Sequence, residues 1–109
     1  MSSLIEVNDQ NFEKEVLQSE CPVFVDFSAS WCGPCQRQLP IMEKFAVENP
    51  DRVKVCKMDV DDSPKTTSKF GIRGVPAILL FNHGEKVDMK VGITAPAILN
   101  NLLLEKVGV

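Results

Sequence analysis

Pro22-Val23-Phe24-Val25-Asp26-Phe27-Ser28-Ala29-Ser30-Trp31-Cys32-Gly33-Pro34-Cys35 is the stretch that decides how this chain folds. Its first half is β-branched and aromatic, interrupted by one carboxylate, Asp26, and shows no polar alternation. Such a run reads as a strand buried on both faces, in the middle of a sheet. Its second half places two cysteines three positions apart, with Pro34 just before the second. Proline in the first turn of a helix costs no hydrogen bond, so a helix is predicted to begin at or just after Cys32. Leu39, Met42, Phe45 and Ala46 then recur at helical spacing, which carries the helix to about Val47. Pro40 is expected to kink it without ending it, and Asn49-Pro50-Asp51 to stop it.

On either side of this stretch the same reading continues. Leu4 to Val7 is a short first strand, and Asn8 or Asp9 is placed to cap a helix carrying Phe12, Val16 and Leu17. Val53 to Val60 is a third strand, and Pro64 to Phe70 a short, weak helix or turn. Ala77 to Phe81 and Lys86 to Val91 flank Asn82-His83-Gly84-Glu85, a hairpin turn with His83 simply solvated on it. Thr94 and Pro96 open a last helix with Ile98, Leu99, Leu102 and Leu103 as its packing stripe. Strands alternate with helices early, which implies parallel pairing, and the late hairpin adds antiparallel strands. The expected class is α/β: one domain over residues 1–109, a mixed sheet with helices on both faces.

Composition narrows the function. The 109 residues are 44% hydrophobic and 25% charged, ordinary for a globular chain that needs no metal or disulfide staple to fold. A net charge of -3 argues against nucleic-acid or anionic-membrane partners, which call for a basic face. Apolar runs such as Ala77-Ile78-Leu79-Leu80-Phe81 are far too short to span a bilayer. The start, Met1 to Val7, has neither a basic opening nor a sustained apolar stretch, so no secretory signal is read there and a reducing, cytoplasmic compartment is expected. Cys21, Cys32, Cys35 and Cys56 are therefore not read as a disulfide framework.

The chemistry concentrates on Cys32 and Cys35. At a strand-to-helix junction the first helical N–H groups lack backbone partners and the helix contributes partial positive charge. Both favour a thiolate at Cys32, the species that attacks disulfides. Cys35, one turn on and more buried, is placed to resolve the mixed disulfide. Gly33 is read as permitting close approach, and Pro34 as fixing φ at the helix start. Zinc is disfavoured because Cys21, Cys56 and His83 are single and dispersed, and a structural disulfide because so small a loop gains little entropy. Asp26 admits two readings. It is a proton acceptor for Cys35, acting through water, or a core carboxylate satisfied by Lys57 on the next strand. Trp31 is a core aromatic or a half-exposed lid beside Cys32. Cys56 is expected to be a buried, inert thiol, and Cys21 an exposed one.

With these residues in view, the chain resembles the thioredoxin family over essentially its whole length. The matching residues are Asp26, Phe27, Trp31-Cys32-Gly33-Pro34-Cys35, Pro40, Lys57, Phe70-Gly71-Ile72-Arg73-Gly74-Val75-Pro76, Gly84 and Gly92. The resemblance implies a thioredoxin fold, a five-stranded mixed sheet flanked by four α-helices in three layers. It implies a cis Val75-Pro76 bond facing the cysteines, with Gly74, Val75, Gly92 and Ile93 on a docking rim together with Trp31. The activity implied is reduction of protein disulfides by a redox-active Cys32–Cys35 pair with no bound cofactor, in a monomer. The implied partners are a thioredoxin reductase, linked to NADPH or ferredoxin, and disulfide-bearing proteins of the ribonucleotide reductase, peroxiredoxin or methionine sulfoxide reductase types. A thiol oxidase or isomerase on the same fold, or a redox-independent accessory subunit, are the rival readings. Three residues depart from the family pattern: Ser28 in place of a second tryptophan, Gln36 in place of a basic residue, and Ala77 in place of threonine.

Overall fold

In the computed structural model, which describes residues 3–109, the apolar run becomes the middle of a sheet. Strand β2 (Val23–Ser28) buries all six of its residues. It pairs in parallel with β3 (Lys54–Asp59), which pairs in parallel with β1 (Ile5–Val7). On its other side β2 pairs antiparallel with β4 (Ala77–Asn82), and β4 with β5 (Glu85–Val91). The five strands thus run in the order β1-β3-β2-β4-β5, with β2 central, as its lack of polar alternation requires.

Helices close both faces. On one face Phe24, Val55, Ile78 and Leu80 pack beneath Met42 and Phe45 of α1 (Gly33–Glu48) and Leu99, Leu102 and Leu103 of α3 (Pro96–Lys106). On the other, Val25, Phe27, Cys56, Leu79 and Phe81 meet Phe12 and Val16, with Phe70 following α2 (Pro64–Lys69). Phe12, Phe70 and Phe81 form a triangle of rings 5.2 to 5.6 Å apart. The fourth helical segment, Glu13–Leu17, is wound as a π-helix, with the Gln18 N–H donating to the Glu13 carbonyl at 2.9 Å. Helix α1 runs on past Pro40 to Glu48.

Two local expectations need correction. Of the two cap candidates Asn8 serves and Asp9 does not: Asn8 Oδ1 accepts from the Gln10 and Asn11 N–H groups and its carbonyl from the Phe12 N–H, in the turn that leads into Glu13–Leu17. Asp9 reaches across the fold to the start of α2, where its carboxylate accepts from the N–H groups of Lys65 and Thr66 and the Thr66 hydroxyl. Ile98 is 42% exposed, so the buried stripe of α3 starts at Leu99.

The register matters for the site. It aligns Glu6, Lys57, Asp26, Ile78 and Lys90 in one row across all five strands. Side chains of such a row share a face, here the one covered by α1 and α3. The carboxyl ends of β2 and β3 lie beside the start of β4, and that end of the sheet leads directly into Cys32.

The hairpin between β4 and β5 turns on His83 and Gly84, with φ of 51° and 79°. Both are left-handed, as a two-residue turn of this hand requires. A Cβ on Gly84 would stand 2.9 Å from the Leu17 carbonyl oxygen. Gly84→Ala is therefore expected to destabilise the fold by about 1–3 kcal/mol, through backbone strain and the collision together. A fall in the urea unfolding midpoint at constant slope is the expected result, and an unchanged midpoint contradicts it.

Candidate active site

Cys32 stands at the junction that the sequence marked. Its backbone is still extended (φ -96°, ψ 111°) and it caps α1, its Sγ accepting from the Cys35 N–H at 3.2 Å. The sulfur thus sits where the helix leaves a donor unpaired and where the helix dipole favours negative charge. Cys32 and Cys35 are joined as a disulfide, with Cα atoms 5.3 Å apart. Cys32 is 6% exposed and Cys35 fully buried, so the first sulfur is the one a partner can reach. Ala29, Val60 and Val75 pack around the pair. Pro34 lies in the first turn, where its missing N–H costs nothing. Gly33 needs a different explanation from the one its sequence suggested. A Cβ there would meet nothing within 4 Å, so no close approach inside this chain calls for glycine.

Facing Cys32 across the site is the segment before β4. The Val75 carbonyl oxygen lies 3.6 Å from Cys32 Sγ, and the Val75-Pro76 bond is cis, as the resemblance implied. Pro76 is buried, Val75 half-buried and Gly74 exposed. Gly92, at φ 93°, donates its N–H to the Pro76 carbonyl at 2.8 Å, which brings the next loop alongside. Ile93 at its tip is 47% exposed, Val91 62% and Trp31 69%. Trp31 is thus an exposed aromatic and not a core one. Its Nε1–H donates to Asp61 Oδ2 at 2.9 Å, and the Asp61 N–H donates to Asp59 Oδ1 at 2.8 Å. Asp61 was missed from the sequence. The run Asp59-Val60-Asp61-Asp62 at the end of a strand aimed at the motif was the available signal.

Asp26 lies on the sheet face that α1 and α3 cover, fully buried, with neither carboxylate oxygen hydrogen-bonded among the described residues. Burial pushes its carboxyl up to about 7. Lys57 is its register partner, yet the pairing expected from sequence is not made. The Lys57 Nζ turns toward the outer strand and stands 3.9 Å from Glu6 Oε2. The row explains this: Lys57 has a carboxylate on each side, and Glu6 is the one exposed to water, where an ion pair requires no stripping of either charge.

Beside Lys57 opens a cleft of about 230 Å³, lined by Ser28, Gln36, Leu39, Asp59 and Asp62 among others. Two of the three departures from the family pattern border it, Ser28 and Gln36. The Gln36 side-chain amide donates to the Ala29 carbonyl at 3.3 Å. The third, Ala77, is fully buried beside Pro76. Of the remaining thiols, Cys56 is buried in the core and burial raises its pKa to about 12, which leaves it an unreactive thiol at neutral pH. Cys21 is exposed at the far end of β2. No cluster of potential metal ligands occurs among the described residues.

A second residue that the sequence reading passed over is Gln38. It is fully buried on α1 and hydrogen-bonded to Thr94, in the loop that carries Gly92 and Ile93. Its signal was its place in the stripe Cys35, Gln38, Met42, Phe45, where an amide interrupts apolar positions.

The thioredoxin family model matches residues 3–105. A thioredoxin of Rickettsia prowazekii is 51% identical over 87 residues, which cover 80% of this chain and 83% of the relative. Thioredoxin 1 of Nostoc sp. is 41% identical over 103 residues, 94% of this chain and 96% of the relative. The thioredoxin of Synechocystis sp. is likewise 41% identical over 103 residues.

The buried carboxylate sets a sign for the pH dependence of stability. An unfolded Asp ionises near 3.9, whereas Asp26 in the fold ionises at about 7. The folded state therefore holds a proton that the unfolded state has released, and stability falls as pH rises from about 4 to about 7. The cost levels off above that window at roughly 4 kcal/mol. Asp26→Asn is expected to stabilise the protein by up to that order at pH 8 and by little at pH 4. Equal effects in urea melts at both pH values would contradict the assignment.

Proposed function

This chain belongs to the thioredoxin family and is a redox-active protein-disulfide reductase, and on that premise we propose how its site works. Cys32 is the attacking group. In the reduced protein its thiolate is stabilised by the Cys35 N–H and by the positive end of α1. It attacks one sulfur of a substrate disulfide, the substrate's S–S bond breaks, and one substrate thiolate leaves. The other substrate sulfur is then bonded to Cys32 as a mixed disulfide. Cys35 gives up its proton and attacks Cys32 Sγ. The Cys32–substrate bond breaks, and the second substrate thiolate departs. Two electrons have passed to the substrate, and Cys32–Cys35 is oxidised.

Asp26 is the acceptor for the Cys35 proton, through water. A carboxyl that titrates at about 7 exchanges protons readily at neutral pH, whereas an ordinary aspartate is far too acidic to hold one. Lys57 acts at one remove. Swinging from Glu6 toward Asp26, its ammonium would favour the charged carboxylate and tune that exchange.

The substrate chain lies along Val75-Pro76, pairing with the Val75 backbone like an added strand. Trp31, Gly33, Pro34, Gly74, Gly92 and Ile93 form the surface it meets. Gly33 is exposed with nothing within 4 Å of where a Cβ would stand, which leaves an incoming chain free to approach there.

The family points to a thioredoxin reductase and disulfide-bearing proteins as partners. We propose enzymes of the ribonucleotide reductase, peroxiredoxin and methionine sulfoxide reductase types among the latter, in the cytoplasm. One domain over residues 1–109 acting as a monomer suffices, because one copy carries every group the reaction uses. No helix among the described residues is long and apolar enough to cross a membrane.

The observation that carries the scheme is the Cys32 sulfur capping α1, reachable while Cys35 is buried. It predicts unlike phenotypes for the two cysteines in reduction of insulin by dithiothreitol. Cys32→Ser abolishes both the reaction and covalent capture of substrate. Cys35→Ser, reduced beforehand and mixed with insulin after dithiothreitol is removed, accumulates a mixed disulfide on Cys32 that is visible by mass, and in the dithiothreitol assay it loses turnover by about 100-fold or more. Asp26→Asn leaves capture intact and slows release of the second thiol, and it removes the inflection near pH 7. Capture by Cys35 in a Cys32→Ser variant would reverse the assignment.

A further inference from the structure

A primary amide buried in a helix–sheet interface is costly unless all its polar atoms find partners. That of Gln38 does. Its Oε1 accepts from the Thr94 N–H at 2.7 Å, its Nε2 donates to the Thr94 carbonyl at 3.0 Å, and Nε2 also lies 3.3 Å from Met42 Sδ. Both backbone groups of one loop residue are thus held by one side chain of α1, as a neighbouring strand would hold them.

The clamp belongs to a longer path. The Thr94 hydroxyl donates to the Gly92 carbonyl at 3.1 Å, and the Gly92 N–H donates to the Pro76 carbonyl at 2.8 Å. Pro76 adjoins Val75, whose carbonyl stands 3.6 Å from the sulfur that caps α1. The bonded path runs from Gln38 on α1 to Pro76 and ties α1, the Gly92–Ile93–Thr94 loop and the Val75-Pro76 segment together, with the Val75 carbonyl in contact with the Cys32 sulfur at its end. Ile93 is left outward, 47% exposed, between two tethered neighbours. Packing alone does not call for an amide here. Cys35, Met42 and Phe45 on the same stripe are buried without one, and what the amide adds is the pair of bonds to the Thr94 backbone, whose N–H and C=O an apolar chain of equal volume would leave buried and unpartnered.

We propose that Gln38 is a positioning residue for substrate docking: it holds the Gly92–Ile93–Thr94 loop at the height where a protein substrate bonded to Cys32 meets it. Gln38 governs recognition of polypeptide disulfides and leaves the thiol chemistry of Cys32 alone. This rests on Gly92 and Ile93 being part of the docking surface. When the clamp is lost the loop spends part of its time out of place, and apparent affinity falls by that fraction.

The test compares Gln38→Met, close to it in volume, with the parent chain on two disulfides. One is insulin; the other is bis(2-hydroxyethyl) disulfide, too small to reach the loop. The expected result is a KM for insulin raised about five- to tenfold, with kcat within about twofold and unchanged turnover of the small disulfide. Equal losses on both substrates, or no loss on either, overturn the proposal. Ile93→Ala is run alongside. If it too leaves the insulin KM unchanged, the docking surface itself is misassigned; if it raises KM while Gln38→Met does not, only the role of Gln38 fails. Should Gln38→Met not fold, amide exchange in the parent chain decides. A Thr94 N–H protected far beyond that of Ile93 supports the clamp, and equal exchange of the two refutes it.

Discussion

A sulfur placed at the open end of a sixteen-residue helix is the constraint from which the rest of the site follows. The Cys35 N–H has no carbonyl to bond to, and Cys32 Sγ takes it. For this the chain must leave β2 still extended at Cys32 and turn helical at Gly33. Pro34 makes that turn inexpensive by giving up an N–H the helix start would not have used. The helix must also be anchored, and Met42 and Phe45 do this against Phe24 and Leu80. An unanchored α1 would fray first at its end, where the sulfur sits.

The buried carboxylate runs against this economy. Asp26 occupies a position where Phe24 and Ile78 show that an apolar side chain fits, and its oxygens find no partner among the described residues. A fold selected for stability alone would not keep it. The role proposed for it gives the reason: a proton acceptor useful at neutral pH needs an environment hostile to charge. Lys57 shows how that hostility is kept adjustable. An ammonium locked onto Asp26 would drag its pKa back toward an ordinary aspartate. Held by Glu6, it stays one strand away.

The fold was legible because its decisive signals were local and strong. The absence of polar alternation at 23–27 marked the central strand, and the His83-Gly84 turn marked the hairpin. The cysteine pair was legible for the same reason, since spacing and strand-to-helix context lie within five residues. What escaped were contacts between distant segments. Asp9 looked like a cap for the next helix, because a sequence shows neighbours and not the start of α2, 56 residues on. Lys57 was correctly placed opposite Asp26, but the competing Glu6 on a third strand could not be weighed without the register. Gln38 and Asp61 were missed for one reason: each acts through a partner 30 or more residues away.

In the proposed scheme, recognition and chemistry come from opposite halves of the sheet. The parallel half, β3 and β2 running into α1, delivers Asp26 and the two cysteines. The antiparallel half, β4 and β5 with the loops at their near ends, delivers Val75, Gly92 and Ile93. The two halves meet only across β2 and β4, so their relative placement at the rim is not fixed by the ladder, which ends at Ala77. Something beyond the sheet must tie the last few residues together. The bonds from Pro76 through Gly92 and Thr94 to Gln38 are what this chain offers for that purpose. An apolar contact would be a poor substitute, because it tolerates sliding, whereas two bonds from one amide to one residue's N–H and C=O do not. The sheet brings the halves to within reach of each other, and a buried polar side chain sets the final distance between nucleophile and docking loop.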